Sequence, residues 1–122
     1  MADGVRISLA DKLAMFSDHW APRLIETVDD YEIKLVKLQG DFVWHSHAQA
    51  DELFLVLTGR LRMDFRDRQV DVGAGEIIVV PRGVEHKPFA REQCEILLLE
   101  RSRTANTGDG PPNERTRVPE TL

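Results

Sequence analysis

From residue 23 to residue 101 the apolar residues arrive in short blocks, and each block ends at a turn former. The blocks fall at 24–28, 31–38, 42–47, 53–57, 61–65, 69–72, 77–80, 86–89 and 94–100. Between them stand Asp29-Asp30, Gly40-Asp41, Thr58-Gly59, Asp67-Arg68, Gly73-Ala74-Gly75 and Pro81-Arg82-Gly83. Short runs at near-regular spacing, closed by Gly, Pro and Asp, predict an all-β barrel or sandwich. No helical period of useful length interrupts the series, which disfavours alternating βαβ units.

The flanks read differently. Leu9, Leu13 and Phe16 are spaced for one short helix, with Ser8 and Asp11 as possible caps and Pro22 closing the region. Residues 1–22 are therefore expected to be a helical or extended N-terminal segment, and 23–101 the β-domain. Residues 102–122 are rich in Arg, Thr, Asn, Gly and Pro without hydrophobic period. They predict an irregular C-terminal tail that loops or wraps over the surface. Two runs, Leu53-Phe54-Leu55-Val56-Leu57 and Ile96-Leu97-Leu98-Leu99, are apolar on both faces. Such strands need cover on both sides, from a second sheet and the N-terminal segment or from another subunit, so a homodimer is expected.

A chain of 122 residues is one domain by length. A net charge of −5 argues against nucleic-acid binding, which needs a basic face for the phosphates. Arg60, Arg62, Arg66 and Arg68 alternate with Leu61, Met63, Phe65 and two acids, as on the solvated face of a strand. No apolar run approaches the roughly 18 residues that cross a bilayer, so no membrane partner is expected. The N-terminus shows no basic and apolar leader pattern, and Cys94 is the single cysteine. A quiet thiol in a reducing cytoplasm is the expectation.

Three of the four histidines and one glutamate form a pattern. His45 and His47 make an H-x-H pair, Glu52 follows, and His86 comes after a Gly/Pro-punctuated stretch. In a β-strand, residues two apart share a face, so both imidazoles would point one way with Ser46 turned aside. Three imidazoles and a carboxylate suit a divalent transition metal better than Mg²⁺ or Ca²⁺. Zn, Fe, Mn and Ni all remain open. His19, beside Trp20 and outside the pattern, reads as structural or exposed.

The first motif runs Gly40, His45, His47, Glu52, Gly59; the second runs Gly75, Pro81, Gly83, His86. Over residues 40–90 the chain resembles the cupin superfamily, specifically its small single-domain members. Four residues rather than five separate Gly40 from His45, and Ala90 stands where the second motif usually carries Asn. Neither departure removes a ligand. The resemblance implies a double-stranded β-helix, the jelly-roll cupin barrel, holding one metal ion through His45, His47, Glu52 and His86 near one open end.

Strand parity with the ligands places Val43, Phe54, Val56 and Pro88 on the expected pocket wall, with Met63 from a neighbouring position. That lining is apolar and predicts a small organic ligand held by chelation. Catalytic residues are not identified, since Glu85 is the only nearby carboxylate and parity turns it away. Small cupins are often grouped with mannose-6-phosphate isomerases, but no basic cluster for a phosphate converges on the pocket. The resemblance spans isomerases, lyases, dioxygenases and non-enzymatic binding modules. A metal-dependent enzyme acting on a carbonyl- or hydroxyl-bearing metabolite and a binding module without turnover therefore both stand.

Overall fold

The computed structural model describes residues 2–102 and 104–122. One helix, α1 (Leu9–Leu13), precedes β1 (Arg23–Val28), β2 (Tyr31–Asp41), β3 (Glu52–Thr58), β4 (Arg60–Phe65), β5 (Gln69–Gly73), β6 (Ile77–Val80), β7 (His86–Arg101) and β8 (Glu120–Thr121). The strands form a cupin-type β-barrel, as the sequence predicts. Its organising element is β7. One edge of β7 pairs with β2, from Asp41↔Phe89 to Tyr31↔Arg101. The other edge pairs with β4 at its start and with β3 at its end.

Two expectations are corrected here. The blocks 86–89 and 94–100 are not separate strands but one bent strand. Arg91, Glu92 and Gln93 are exposed and read as a break. The backbone instead stays extended through a register shift opposite Leu38 and Gly40, as a bulge allows. The block 42–47 is not a regular strand. Only His45 is bridged, to His86, and the chain leaves the sheet after Asp41. Face alternation therefore does not orient the H-x-H pair.

Inside the barrel, Val36, Leu38, Phe54, Val56, Leu61, Met63, Phe65, Ile96 and Leu98 form the main core. Burying a side chain of this size contributes roughly 1.5–3 kcal/mol. Cys94 lies fully buried among them, and burial pushes its thiol up to about 11, so it is an unreactive packing residue. A second cluster sits on the outer face, where Leu13 and Phe16 pack with Ile25 and Leu35. Its margin includes Leu57 and Leu97, so the N-terminal segment supplies part of the cover that the two-faced strands need. The short helix is capped by Ser8, whose hydroxyl accepts from the Asp11 amide at 3.2 Å. Ile77 and Val79 on β6 remain exposed.

The arginines of 60–68 lie outside, mostly on aromatic rings or acids. Arg62 is bidentate to Asp64 and covers Phe89, Arg66 covers Trp44, and Arg68 covers Phe65.

Between β3 and β4, Gly59 has φ +82 and meets the bulged part of β7. A Cβ there would lie 2.8 Å from the Gln93 carbonyl oxygen. Gly75 has a similar φ of +81 but faces open space. Gly59→Ala should therefore cost more stability than Gly75→Ala, about 1–3 kcal/mol for the strained backbone alone and more for the contact. Urea unfolding of the two variants tests this; equal losses would contradict the close approach.

Candidate metal centre

Each cluster residue is placed by a different constraint. Glu52 opens β3 facing inward, between Val80 of β6 and Glu100 of β7. His86 opens β7 and is fully buried. His45 is tied to it by two backbone bonds, His45 N–H to His86 O at 3.0 Å and His86 N–H to His45 O at 2.9 Å. His47 is held one step further on, where its carbonyl accepts from Gly83 N–H at 2.8 Å. Gly83 has φ +78, so the Pro81-Arg82-Gly83 turn uses the freedom of glycine to make that contact. The outcome is four buried side chains, each offering one ligand atom, with those atoms all within 4.8 Å of one another.

Hydrogen bonds at the rear of the rings aim them. The Nδ1–H of His45 donates to Val43 O at 2.8 Å, and that of His86 to Val84 O at 3.0 Å. A carbonyl can only accept, so in the neutral ring, the form that binds a metal, the Nε2 atoms of His45 and His86 carry the lone pairs and face the cluster. His86 Nε2 lies 3.1 Å from Glu52 Oε1, a hydrogen bond when that nitrogen is protonated and two acceptors face to face when it is not. His47 Nε2 lies 3.6 Å from the same oxygen. Both ring nitrogens of His47 are buried without a hydrogen-bond partner. Metal bonds of about 2.1 Å at 90–109° set neighbouring ligands about 3.0–3.4 Å apart, close to these separations. The donor set fits a divalent transition metal.

Protonation is tuned the same way. Burial, then the neighbouring His86, lowers His45 to about 4, so its imidazole is neutral and ready to coordinate. For Glu52, burial favours the neutral acid, but its neighbours Glu100, His47 and His86 outweigh it and hold the carboxyl well below its usual range.

Glu100 and Lys34 are the components that the sequence reading missed. Both are essentially fully buried, with Lys34 Nζ 3.0 Å from Glu100 Oε1 and 3.3 Å from Glu32 Oε1. Burial and the Glu52 charge push Glu100 well above the usual carboxylate range, against the opposing pull of Lys34. Its Oε2 has no hydrogen-bond donor beside it, and a protonated Glu100 is the form able to donate to the neighbouring Glu52. The sequence signal was a Lys at an apolar-parity position, 34 before Val36 and Leu38, and an acid closing the run at 100.

Beside the ligands lies a cavity of about 30 Å³, lined by His45 and Glu52 with Trp20, Phe42, Leu98 and Asn106 among others. That is room for about one water. Of the expected wall residues, Phe54 and Pro88 line it. Val56 and Met63 are fully buried in the core, and Val43 is half-buried against that core. Trp20 comes from the N-terminal segment at φ 59, unusual for a bulky residue. It is held by its backbone bond to Lys37 O, by Nε1–H to Gln39 O at 2.9 Å, and by stacking on Phe42 at 4.7 Å. His19 is exposed and hydrogen-bonds Gln93, while Glu85 is exposed and pairs with Arg66.

Two tests follow from these groups. Glu100→Leu leaves Lys34 buried with only Glu32, at an expected cost of about 3 kcal/mol. Because Glu100 is pushed towards its neutral form, Lys34→Met should cost markedly less by urea unfolding; the reverse order would contradict that shift. In the metal-free protein the His45 ring should titrate near 4 by NMR, and a value near the ordinary 6.5 would contradict its burial. Because this pKa is depressed, the unfolded chain takes up the proton first, and stability is lost as pH falls from 6.5 towards 4. Glu100, raised, acts with the opposite sign, losing its contribution as pH rises through its folded value. The individual resonance is therefore the cleaner readout.

Comparison with known proteins agrees with this fold. The cupin domain family matches residues 33–100, which include all four candidate ligands. A cupin-2 domain containing protein from Shewanella frigidimarina is 49% identical, superposes with a TM-score of 0.77, and covers 78% of this chain and 93% of its own. Protein NMB1881 from Neisseria meningitidis is 32% identical with a TM-score of 0.74, covering 80% of this chain and all of its own. The uncharacterized protein YdbB of Bacillus subtilis is 38% identical over 77 residues, 62% of this chain and 68% of its own. The chain belongs to the cupin domain family.

Proposed function

We propose that this protein binds one divalent transition metal ion through His45, His47, Glu52 and His86, and that the metal serves chemistry on a small carbonyl- or hydroxyl-bearing metabolite. The observation that carries the reading is His47, whose two buried ring nitrogens lack any partner at the centre of a four-ligand cluster. A metal held there supplies Lewis-acid polarisation of an oxygen, or a platform for oxygen chemistry if it is redox-active. The chain's own contribution is an apolar wall that excludes water and a fixed neutral His45.

The charges around the site favour an uncharged ligand over a phosphorylated one. Arg82 pairs with Asp51 at 3.2 Å, and Lys87 pairs with Asp41 at 2.6 Å. Neither lines the cavity. A binding module without turnover is the second reading. It is favoured by the cavity wall, where Glu52 is the only carboxylate among the described residues.

We further infer a homodimer in a reducing, cytoplasmic setting. Exposed Ile77 and Val79 lie across the β3–β6 pairing from half-buried Leu55 and Leu53, an apolar outer face that α1 leaves open. The single thiol, Cys94, is buried and offers no disulfide.

The test is metal analysis of the purified protein, followed by a substrate screen with His47→Ala as the control. We expect about one transition metal per chain, severe loss of metal in His45→Ala, His47→Ala and His86→Ala, and turnover that chelators abolish. Wild-type metal content in these variants would overturn the site. Metal binding with no turnover in the screen would favour the binding module.

A further inference from the structure

The H-x-H segment carries two of the four candidate ligands but lies outside the sheet, so something other than a strand neighbour must hold it. His45 has its bridge to His86, and the His47 carbonyl has Gly83. The polar backbone groups between and beyond them are taken up by the C-terminal tail. Ser46 O accepts from Asp109 N–H at 3.0 Å, and Ala48 N–H donates to Asp109 Oδ2 at 2.6 Å. Gly108 is pressed against the same segment. Its φ is +81, and a Cβ there would lie 2.6 Å from Ser46 O and 2.9 Å from His45 Cβ.

This turn of the tail is itself braced. Gly108 N–H closes it by donating to Ala105 O at 3.0 Å. Asn106 uses both ends of its amide, Nδ2–H to Arg115 O at 2.8 Å and Oδ1 from Arg117 N–H at 2.9 Å. Thr107, buried, pairs with Thr116 at 2.6 Å. The second limb in turn reaches the barrel, where Arg115 donates to Asp41 O at 3.3 Å. The same turn also sets Asn106 into the wall of the cavity beside His45 and Glu52.

We propose that residues 105–109 are a clamp that positions the H-x-H ligand pair, with Asp109 and Gly108 as its positioning residues, so that this turn sets how firmly the site retains a divalent metal ion. The inference rests on the metal-binding reading above. Its physical content is that a ligand segment without a sheet partner keeps its orientation only while its backbone groups are satisfied elsewhere. Groups that orient ligands typically change metal affinity by about 10–100-fold when removed.

The experiment loads the full-length protein with Zn²⁺, mixes it with excess chelator, and follows metal release in wild type and four variants. Asp109→Ala removes the acceptor for Ala48 N–H, and Gly108→Ala inserts a methyl group against Ser46 and His45. Both should release Zn²⁺ about tenfold faster or more. Asp109→Asn keeps an acceptor oxygen and should stay close to wild type, as should Glu114→Ala, an exposed tail change away from the H-x-H segment. Thermal midpoints of the metal-free proteins separate a positioning effect from general unfolding, and Asp109→Ala carries the test if Gly108→Ala fails to fold. Wild-type release from Asp109→Ala overturns the clamp, as does a midpoint drop that accounts for all the acceleration. A wild-type protein that takes up no Zn²⁺ overturns the clamp together with the metal-binding reading, whereas wild-type uptake with uniform release rates overturns the clamp alone.

Discussion

A neutral imidazole nitrogen facing a carboxylate oxygen at 3.1 Å is an unfavourable contact unless a proton or a cation lies between them, and the His86–Glu52 pair holds that geometry inside the barrel. The rear hydrogen bonds to Val43 O and Val84 O use the one N–H of a neutral His45 or His86 ring, so in that form the inward nitrogen is a lone-pair donor. His47 adds two nitrogens with no partner at all. Burying such groups is costly unless a cation lies between them, since unpaired buried polar atoms lose their hydration without return. Much of the surrounding structure reads as the means of holding four donors in that costly arrangement.

The barrel does this through one long strand. β7 starts at His86 and reaches Glu100, so it delivers a ligand at one end and the partner of another ligand at the other. Its bulge near residues 91–93 lets the two halves pair with different neighbours, and Gly59 fits against that bulge because it lacks a Cβ. Glu100 and Lys34 then form a buried polar group beside Glu52. The upward push on Glu100 limits the negative charge beside the ligand position, while Lys34 bridges Glu100 and Glu32 on the other side. Such a network is tolerable in a core only when its members are mutually satisfied.

The barrel was legible in the sequence because its turn residues, such as Thr58-Gly59 and Pro81-Arg82-Gly83, interrupt short apolar runs at positions where the backbone does turn. The four cluster residues were legible from spacing and family resemblance, although the face-alternation argument for His45 and His47 does not apply to a segment outside the sheet. What was not legible depends on tertiary contact. Lys34 looks like one more charge on an amphipathic strand until the barrel closes around it. Trp20 and Asn106 come from flanking segments with no motif, and only folding brings them to the cavity. The tail has no hydrophobic period because its seat on the barrel is made by backbone and amide hydrogen bonds, which composition does not reveal.

The most direct measurement of the central claim is anomalous X-ray scattering from crystals of the protein purified without chelator, recorded on both sides of the metal's absorption edge. One peak per chain is predicted, about 2.0–2.2 Å from one nitrogen each of His45, His47 and His86 and from a Glu52 oxygen. A strong peak elsewhere, or crystals grown with excess metal that show none at these four residues, would contradict it.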